Sequence, residues 1–111
     1  MGFCRALRIG DRVLVSGTAP IWPDGHVDED PYAQAARCFE IIRLALEEAG
    51  ASLDDVVRTR MFLVDAADAD QVGRAHGEAM AVAQPAATMV VVKGLLDPRW
   101  KVEIEAEAQL K

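Results

Sequence analysis

The 111-residue chain predicts an α+β domain, a β-β-α-β-α-β-β sheet with two helices packed on one face. Three observations carry that expectation. The closing stretch "RWKVEIEAEAQLK" alternates apolar and charged residues from Lys101 to Ala108, the signature of a strand with two unlike faces. "DEDPYAQAARCFEIIRLALEEAG" carries apolar residues at steps of three and four, the period of a helix with one buried stripe. Around them, short apolar runs are separated by turn residues. No repeat, linker or low-complexity tract interrupts the chain, so residues 1–111 read as a single domain.

In order, "RALRIGDRVLVSG" holds two strands joined at Gly10-Asp11, a hairpin signal. "WPDGH" is a second turn, with Pro23 and Gly25 in its turn positions. Asp30 caps the first helix, Pro31 suits its first turn, and Gly50 ends it. Its buried stripe is Tyr32, Ala35, Phe39, Ile42, Leu46 and Ala49. "DVVRTRMFLVD" reads as a strand. A second helix is expected from about Asp68 to Val82, with Val72, Ala75, Ala79 and Val82 on its apolar side. "ATMVVVKGL" is a strand without alternation, and "WKVEIEAEAQ" is the last.

Two helices cover only one face of such a sheet. Yet Met89, Val90, Val91 and Val92 are apolar on both faces, and Phe62 and Val64 add apolar surface opposite Met61 and Leu63. A sheet apolar on both faces is normally buried on both, so the second face is expected to meet another copy of the chain. Arg58 and Arg60 share the face of Phe62. Glu103, Glu105 and Glu107 form a row of like charge, and a cross-strand ion-pair ladder with those arginines would compensate it. Arg99, in the turn before the last strand, is expected to be solvated.

Composition excludes several function classes. Hydrophobic residues at 51% and charged residues at 27% describe an ordinary globular protein. A net charge of −6 opposes a nucleic-acid partner, which would need a basic footprint. No basic start followed by a long apolar run is present, so neither export nor a membrane is suggested, and the expected location is cytoplasmic. Cys4 and Cys38 form no CxxC or Cys/His cluster and read as free thiols. Ser16 lacks a GxSxG elbow, and His26 and His76 read as solvated or packed. Nothing has metal-ligand spacing or resembles a phosphate cradle. Trp22 and Trp100 could line a pocket, although anchoring loops is the commoner use of a lone Trp.

The segments "RIGDRVLVSGTAPI", "AGASLDDVVRTRMFLVD", "QPAATMVVVKGL" and "KVEIEA" resemble, in order and spacing, the YjgF/RidA family of reactive-intermediate imine deaminases. The resemblance covers nearly the whole chain. It implies a chorismate-mutase-like fold and a homotrimer with small-molecule clefts between subunits. In active members those clefts hydrolyse enamines and imines to 2-keto acids and ammonia, with no metal or organic cofactor. Glu103 matches the family glutamate that orients the water, and would be the catalytic residue. Ser16 and Gly17 match the strand end that lines the cleft, and Phe3 falls near a family aromatic. Met89 is carried with them as a substrate-binding candidate.

At two positions the chain departs from the family pattern. The arginine that follows the proline-alanine pair is Ala87 here, and a family asparagine of the second helix falls on Gly73. An arginine grips a substrate carboxylate through two parallel hydrogen bonds, which alanine cannot do. The chain therefore resembles an arginine-lacking branch, in which Arg58 and Arg60 serve either the ion-pair ladder, the commoner role, or a relocated substrate anchor. Three functions are open: an enzyme acting on a small imine, enamine or related reactive metabolite; a non-catalytic ligand-binding or regulatory trimer; and an oligomeric partner or holdase. The ribonuclease activity sometimes attributed to the family is opposed by the acidic charge and the lack of a His-based acid/base pair.

Overall fold

A computed structural model describes all 111 residues. The chain runs β1 (Ala6–Ile9), β2 (Arg12–Thr18), α1 (Pro31–Glu48), β3 (Val56–Leu63), α2 (Ala69–Ala79), β4 (Ala86–Val91) and β5 (Val102–Gln109). This is the expected element order, with short 3-10 turns added at Leu53–Asp55 and Ala66–Asp68. The sheet order is β1-β2-β5-β3-β4, antiparallel except for the β3–β4 pair. Both β2 and β3 run antiparallel to β5, so they are parallel to each other, and α1 is the crossover between them. In the same way α2 connects parallel β3 and β4. Last to be made, β5 fills the gap between β2 and β3.

Alternation places β5. Val102, Ile104, Ala106 and Ala108 are buried, while the glutamates between them are half-buried on the other face. Val13, Val15, Met61 and Leu63 join them beneath Phe39, Ile42 and Leu46 of α1 and Val72 of α2. Asp30 caps α1 by accepting from the Ala33 N–H, and Gly50 ends it at φ +87°, a left-handed conformation that glycine adopts without strain.

Two expectations need correction. The stripe of α1 is wider than the one expected: Gln34, Cys38 and Ala45 are buried in it, whereas Tyr32 and Ala49 are half-buried. A helix lying across a sheet buries a band of at least a third of its circumference, and Tyr32 instead turns toward α2, under Arg74 and bonded to Glu78. The second helix ends at Ala79, and Val82 is 73% exposed, because the chain has already turned to bring Ala86 beside Arg58 on β3. In that turn Gln84 adopts φ 46° just before Pro85. Arg99 is exposed, as expected, and its guanidinium and backbone N–H also hold Asp97, while Nη1 donates to the Gly25 carbonyl at 3.1 Å. Those bonds keep the Asp97 carboxyl below the usual carboxylate range.

Opposite the helices, no element covers the sheet. Leu7 and Ile9 are 48% and 58% exposed there, with Leu14, Phe62 and Val90 beside them. Charged pairs lie between these apolar residues. No helix is long and apolar enough to cross a membrane.

Candidate functional site

The three glutamates of β5 have separate fates. Glu107 meets Arg12 at 3.7 Å and Glu105 meets Arg60 at 3.2 Å across the sheet. Half of the expected ladder therefore forms. Arg58 takes no part in it, although Glu107 is its register partner. It reaches sideways to the Thr88 hydroxyl of β4 at 2.8 Å, and its Nε is buried without a partner. Glu103 has no ion pair at all and is set apart from the ladder.

Glu103 is placed by an irregularity in β2. The register between β2 and β5 shifts between Val15 and Thr18, so Ser16 and Gly17 bulge out of the ladder beside Glu103. A Cβ added at Gly17 would lie 3.3 Å from the Glu103 carboxylate, so glycine is what lets this carboxylate pack on the strand backbone. Arg5 fixes the bulge by donating through Nη2 to the carbonyls of Ser16 and Gly17 at 2.9 and 2.8 Å. The Ser16 hydroxyl donates to the Cys4 carbonyl at 2.7 Å. That hydroxyl is a strap for the N-terminal segment and has no base beside it.

Around this carboxylate opens a cavity of about 990 Å³. The N-terminal segment contributes Phe3 and Arg5; the bulge contributes Ser16 and Gly17; the loop after it contributes Ile21 and Trp22. Arg37 and Ile41 of α1, with Leu96 and Trp100 before β5, complete the wall. Beneath it lies Cys38, buried, its thiol donating to the Thr18 carbonyl at 3.2 Å. Burial pushes this thiol up, and Glu103 pushes in the same direction. For Arg5, burial lowers the pKa while the neighbouring Glu103 charge opposes the shift. Trp22 donates from Nε1 to Asp28 at 2.9 Å, which holds the Asp28 carboxyl low. No three His, Cys, Asp or Glu side chains converge as a metal-binding set.

Four of the residues singled out from the sequence thus come together: Phe3, Ser16, Gly17 and Glu103. Gly73, Ala87 and Met89 lie elsewhere. Gly73 is within α2, with open space where a Cβ would stand. Ala87 and Met89 are on edge strand β4, in register with Thr59 and Met61 on the helix-bearing side of the sheet. Within one chain they cannot reach Glu103. The sequence reading missed Arg5 and Arg37. Arg5 precedes β1 and Arg37 lies within α1, and only the bulge and the Ile21–Trp22 loop bring them to the cavity. Trp22 and Trp100, weighed chiefly as loop anchors, do line it.

Residues 1–110 match the family model described as Endoribonuclease L-PSP. An uncharacterised protein of Streptomyces coelicolor is 42% identical over 108 residues, covering 96% of this chain and 81% of its own length. The 2-iminobutanoate/2-iminopropanoate deaminase of Salmonella typhimurium is 34% identical over 67 residues, 60% of this chain and 52% of that protein. Among solved structures, a YjgF/YER057c/UK114 family member from Mycobacterium tuberculosis superposes with a TM-score of 0.90 at 39% identity, covering 98% of this chain and 87% of that one.

Proposed function

This chain belongs to the YjgF/RidA family, whose model is described as Endoribonuclease L-PSP, and on that premise we propose that it forms a homotrimer whose intersubunit clefts hydrolyse the C=N bond of an imine or enamine. Its α+β, chorismate-mutase-like fold is that of the family. The observation that carries the reading is Glu103: a carboxylate free of ion pairs, packed on Gly17, at the wall of the largest cavity. Such a group can orient a water and take one of its protons. The water oxygen bonds to the imine carbon as the C=N π electrons move to nitrogen. Glu103 then returns the proton to nitrogen, giving a carbinolamine; its hydroxyl proton passes through the same carboxylate to nitrogen, the oxygen electrons form the C=O bond as the C–N bond breaks, and a 2-keto acid and ammonia leave. Atoms balance as imino acid plus water giving keto acid plus ammonia.

Glu103→Gln keeps the shape and removes the base. With the imine generated in situ, it should lower keto-acid release by about 10²–10⁴-fold, the usual worth of a positioned general base. A rate unchanged by this substitution would sink the reading. Assembly has its own support in the uncovered face carrying Leu7, Ile9, Phe62 and Val90. Light scattering at micromolar concentration should give about three times 12.0 kDa. A monomer would remove both the trimer and its clefts.

Ala87 favours a second reading, a trimer that binds a small molecule without hydrolysing it, because the family anchor for a substrate carboxylate is missing. The ribonuclease reading has less to support it. His26 pairs with Asp28 on a loop and His76 contacts Thr59 between α2 and β3, so the two histidines form no acid/base pair and neither lines the Glu103 cavity.

A further inference from the structure

The cavity around Glu103 has more wall than a two- or three-carbon imino acid needs. Beyond the carboxylate, Ile21, Leu96 and Trp100 present apolar surface, and Leu96 is 90% exposed. Two cations line the cavity, and one of them keeps both terminal nitrogens unbonded. Arg37 stacks on the Trp22 ring, its guanidinium carbon 4.1 Å from the ring centroid. Its Nε donates to the Ile21 carbonyl at 3.0 Å, while Nη1 and Nη2 enter no hydrogen bond or ion pair. Stacking and the Nε bond hold the guanidinium plane, which leaves its two terminal nitrogens as a preset fork. Arg5 differs: its Nη2 is committed to the carbonyls of Ser16 and Gly17, so it cannot offer both terminal nitrogens to a ligand. Glu103, Arg37 and Arg5 line one and the same cavity.

We propose that Arg37 is the carboxylate anchor of this cleft, in place of the arginine absent at Ala87, and that the ligand is a 2-oxo or 2-imino acid with an aromatic or bulky apolar side chain lying against Trp100, Ile21 and Leu96. The inference rests on the reading of the cleft given above, and extends it to a substrate class. A fork of two N–H groups matches a carboxylate, and a neutral ligand would leave it without an acceptor. A short acid such as pyruvate would satisfy the fork but leave the apolar wall in water.

The test is binding to the assembled protein, followed by calorimetry or by Trp fluorescence, with three stable probes. Phenylpyruvate carries both features, pyruvate only the acid and phenylacetone only the ring. Phenylpyruvate should bind at least tenfold more tightly than either of the others. Arg37→Gln should weaken phenylpyruvate at least tenfold and leave phenylacetone within twofold, with Arg37→Lys intermediate. Equal binding of phenylpyruvate and phenylacetone would overturn the anchor, and so would an Arg37→Gln variant that binds both unchanged. A loss of both ligands together would show that Arg37 merely shapes the Trp22 loop, which also overturns it. If phenylpyruvate binds through Arg37 and no imine is turned over, the hydrolytic reading fails and the anchor stands. If imines are hydrolysed with a KM indifferent to Arg37→Gln, the anchor alone fails.

Discussion

Gln34→Leu will destabilise the fold by about 2–4 kcal/mol, although the new side chain is apolar and of similar size. Gln34 is fully buried in α1, and its amide makes three bonds. It donates to the carbonyls of Asp28 and Arg99 at 2.7 and 3.0 Å, and accepts from the Lys101 N–H at 2.8 Å. Leucine removes all three at once. Each buried group left without a partner costs about 1–3 kcal/mol, offset in part by the apolar gain of the leucine itself. At roughly 4–8 °C per kcal/mol for a domain near this size, the melting temperature should fall by about 8–32 °C. Gln34→Glu makes the sharper comparison. It keeps the acceptor for Lys101 but points a carboxylate at two carbonyl oxygens. It should be as unstable as the leucine variant at neutral pH, and should regain stability in acid, where the protonated carboxyl can donate to one carbonyl. A urea midpoint within 0.3 M of wild type for Gln34→Leu, at unchanged slope, would contradict this account.

Gln34 also marks the limit of what the sequence makes legible. Local signals place the elements: period-two alternation for β5, period-3.6 spacing for α1, Asp30 and Gly50 at its ends, and Gly10 in the first turn. These signals do not separate Glu103 from Glu105 and Glu107, which share its face; only the family resemblance singles it out. They do not reveal a buried amide, because the partners of Gln34 lie 65 and 67 residues away at Arg99 and Lys101. Nor do they place Arg58, whose choice of Thr88 over Glu107 depends on a parallel edge strand 30 residues on. The cavity wall has the same character. Arg37 sits one residue from buried Cys38 on the helix, and only the fold of the Ile21–Trp22 loop turns its guanidinium toward Glu103. A usable signal was present nonetheless: Gln34 and Cys38 lie one turn apart, beside the apolar row Ala35, Phe39 and Ile42. A polar side chain on a buried stripe asks for partners, even when the sequence cannot say which.

Ala87→Arg should raise hydrolysis of 2-iminobutyrate by about one to two orders of magnitude over the parent, and Glu103→Ala should abolish the gain. A charge-assisted hydrogen bond is worth about 1.5–3 kcal/mol, which converts to roughly 10- to 150-fold if the substrate uses it fully. The experiment is informative because of where Ala87 stands. It faces the helix-bearing side of β4, in register with Thr59, whereas Glu103 faces the opposite side of β5, with β3 between the two strands. Adjacent strands are about 4.8 Å apart, so these backbones are separated by roughly twice that, with the sheet itself in the way. An arginine at position 87 therefore cannot serve the Glu103 of its own chain. Any gain must come from the Glu103 of a neighbouring subunit, and the proposed trimer supplies one. The gain should also be confined to small acids, since bulky ones are already held at Arg37 on the proposed anchor. Mixing subunits decides the point. Trimers assembled from parent chains and Ala87→Arg/Glu103→Ala chains form some clefts that take Glu103 from a parent chain and the new arginine in trans from its neighbour, and these mixed trimers should exceed the activity of either homotrimer, since no single chain in them carries both groups. A trimeric Ala87→Arg variant that takes up the substrate without turnover would mean that Glu103 is not poised to activate water, and the cleft would then be a binding site.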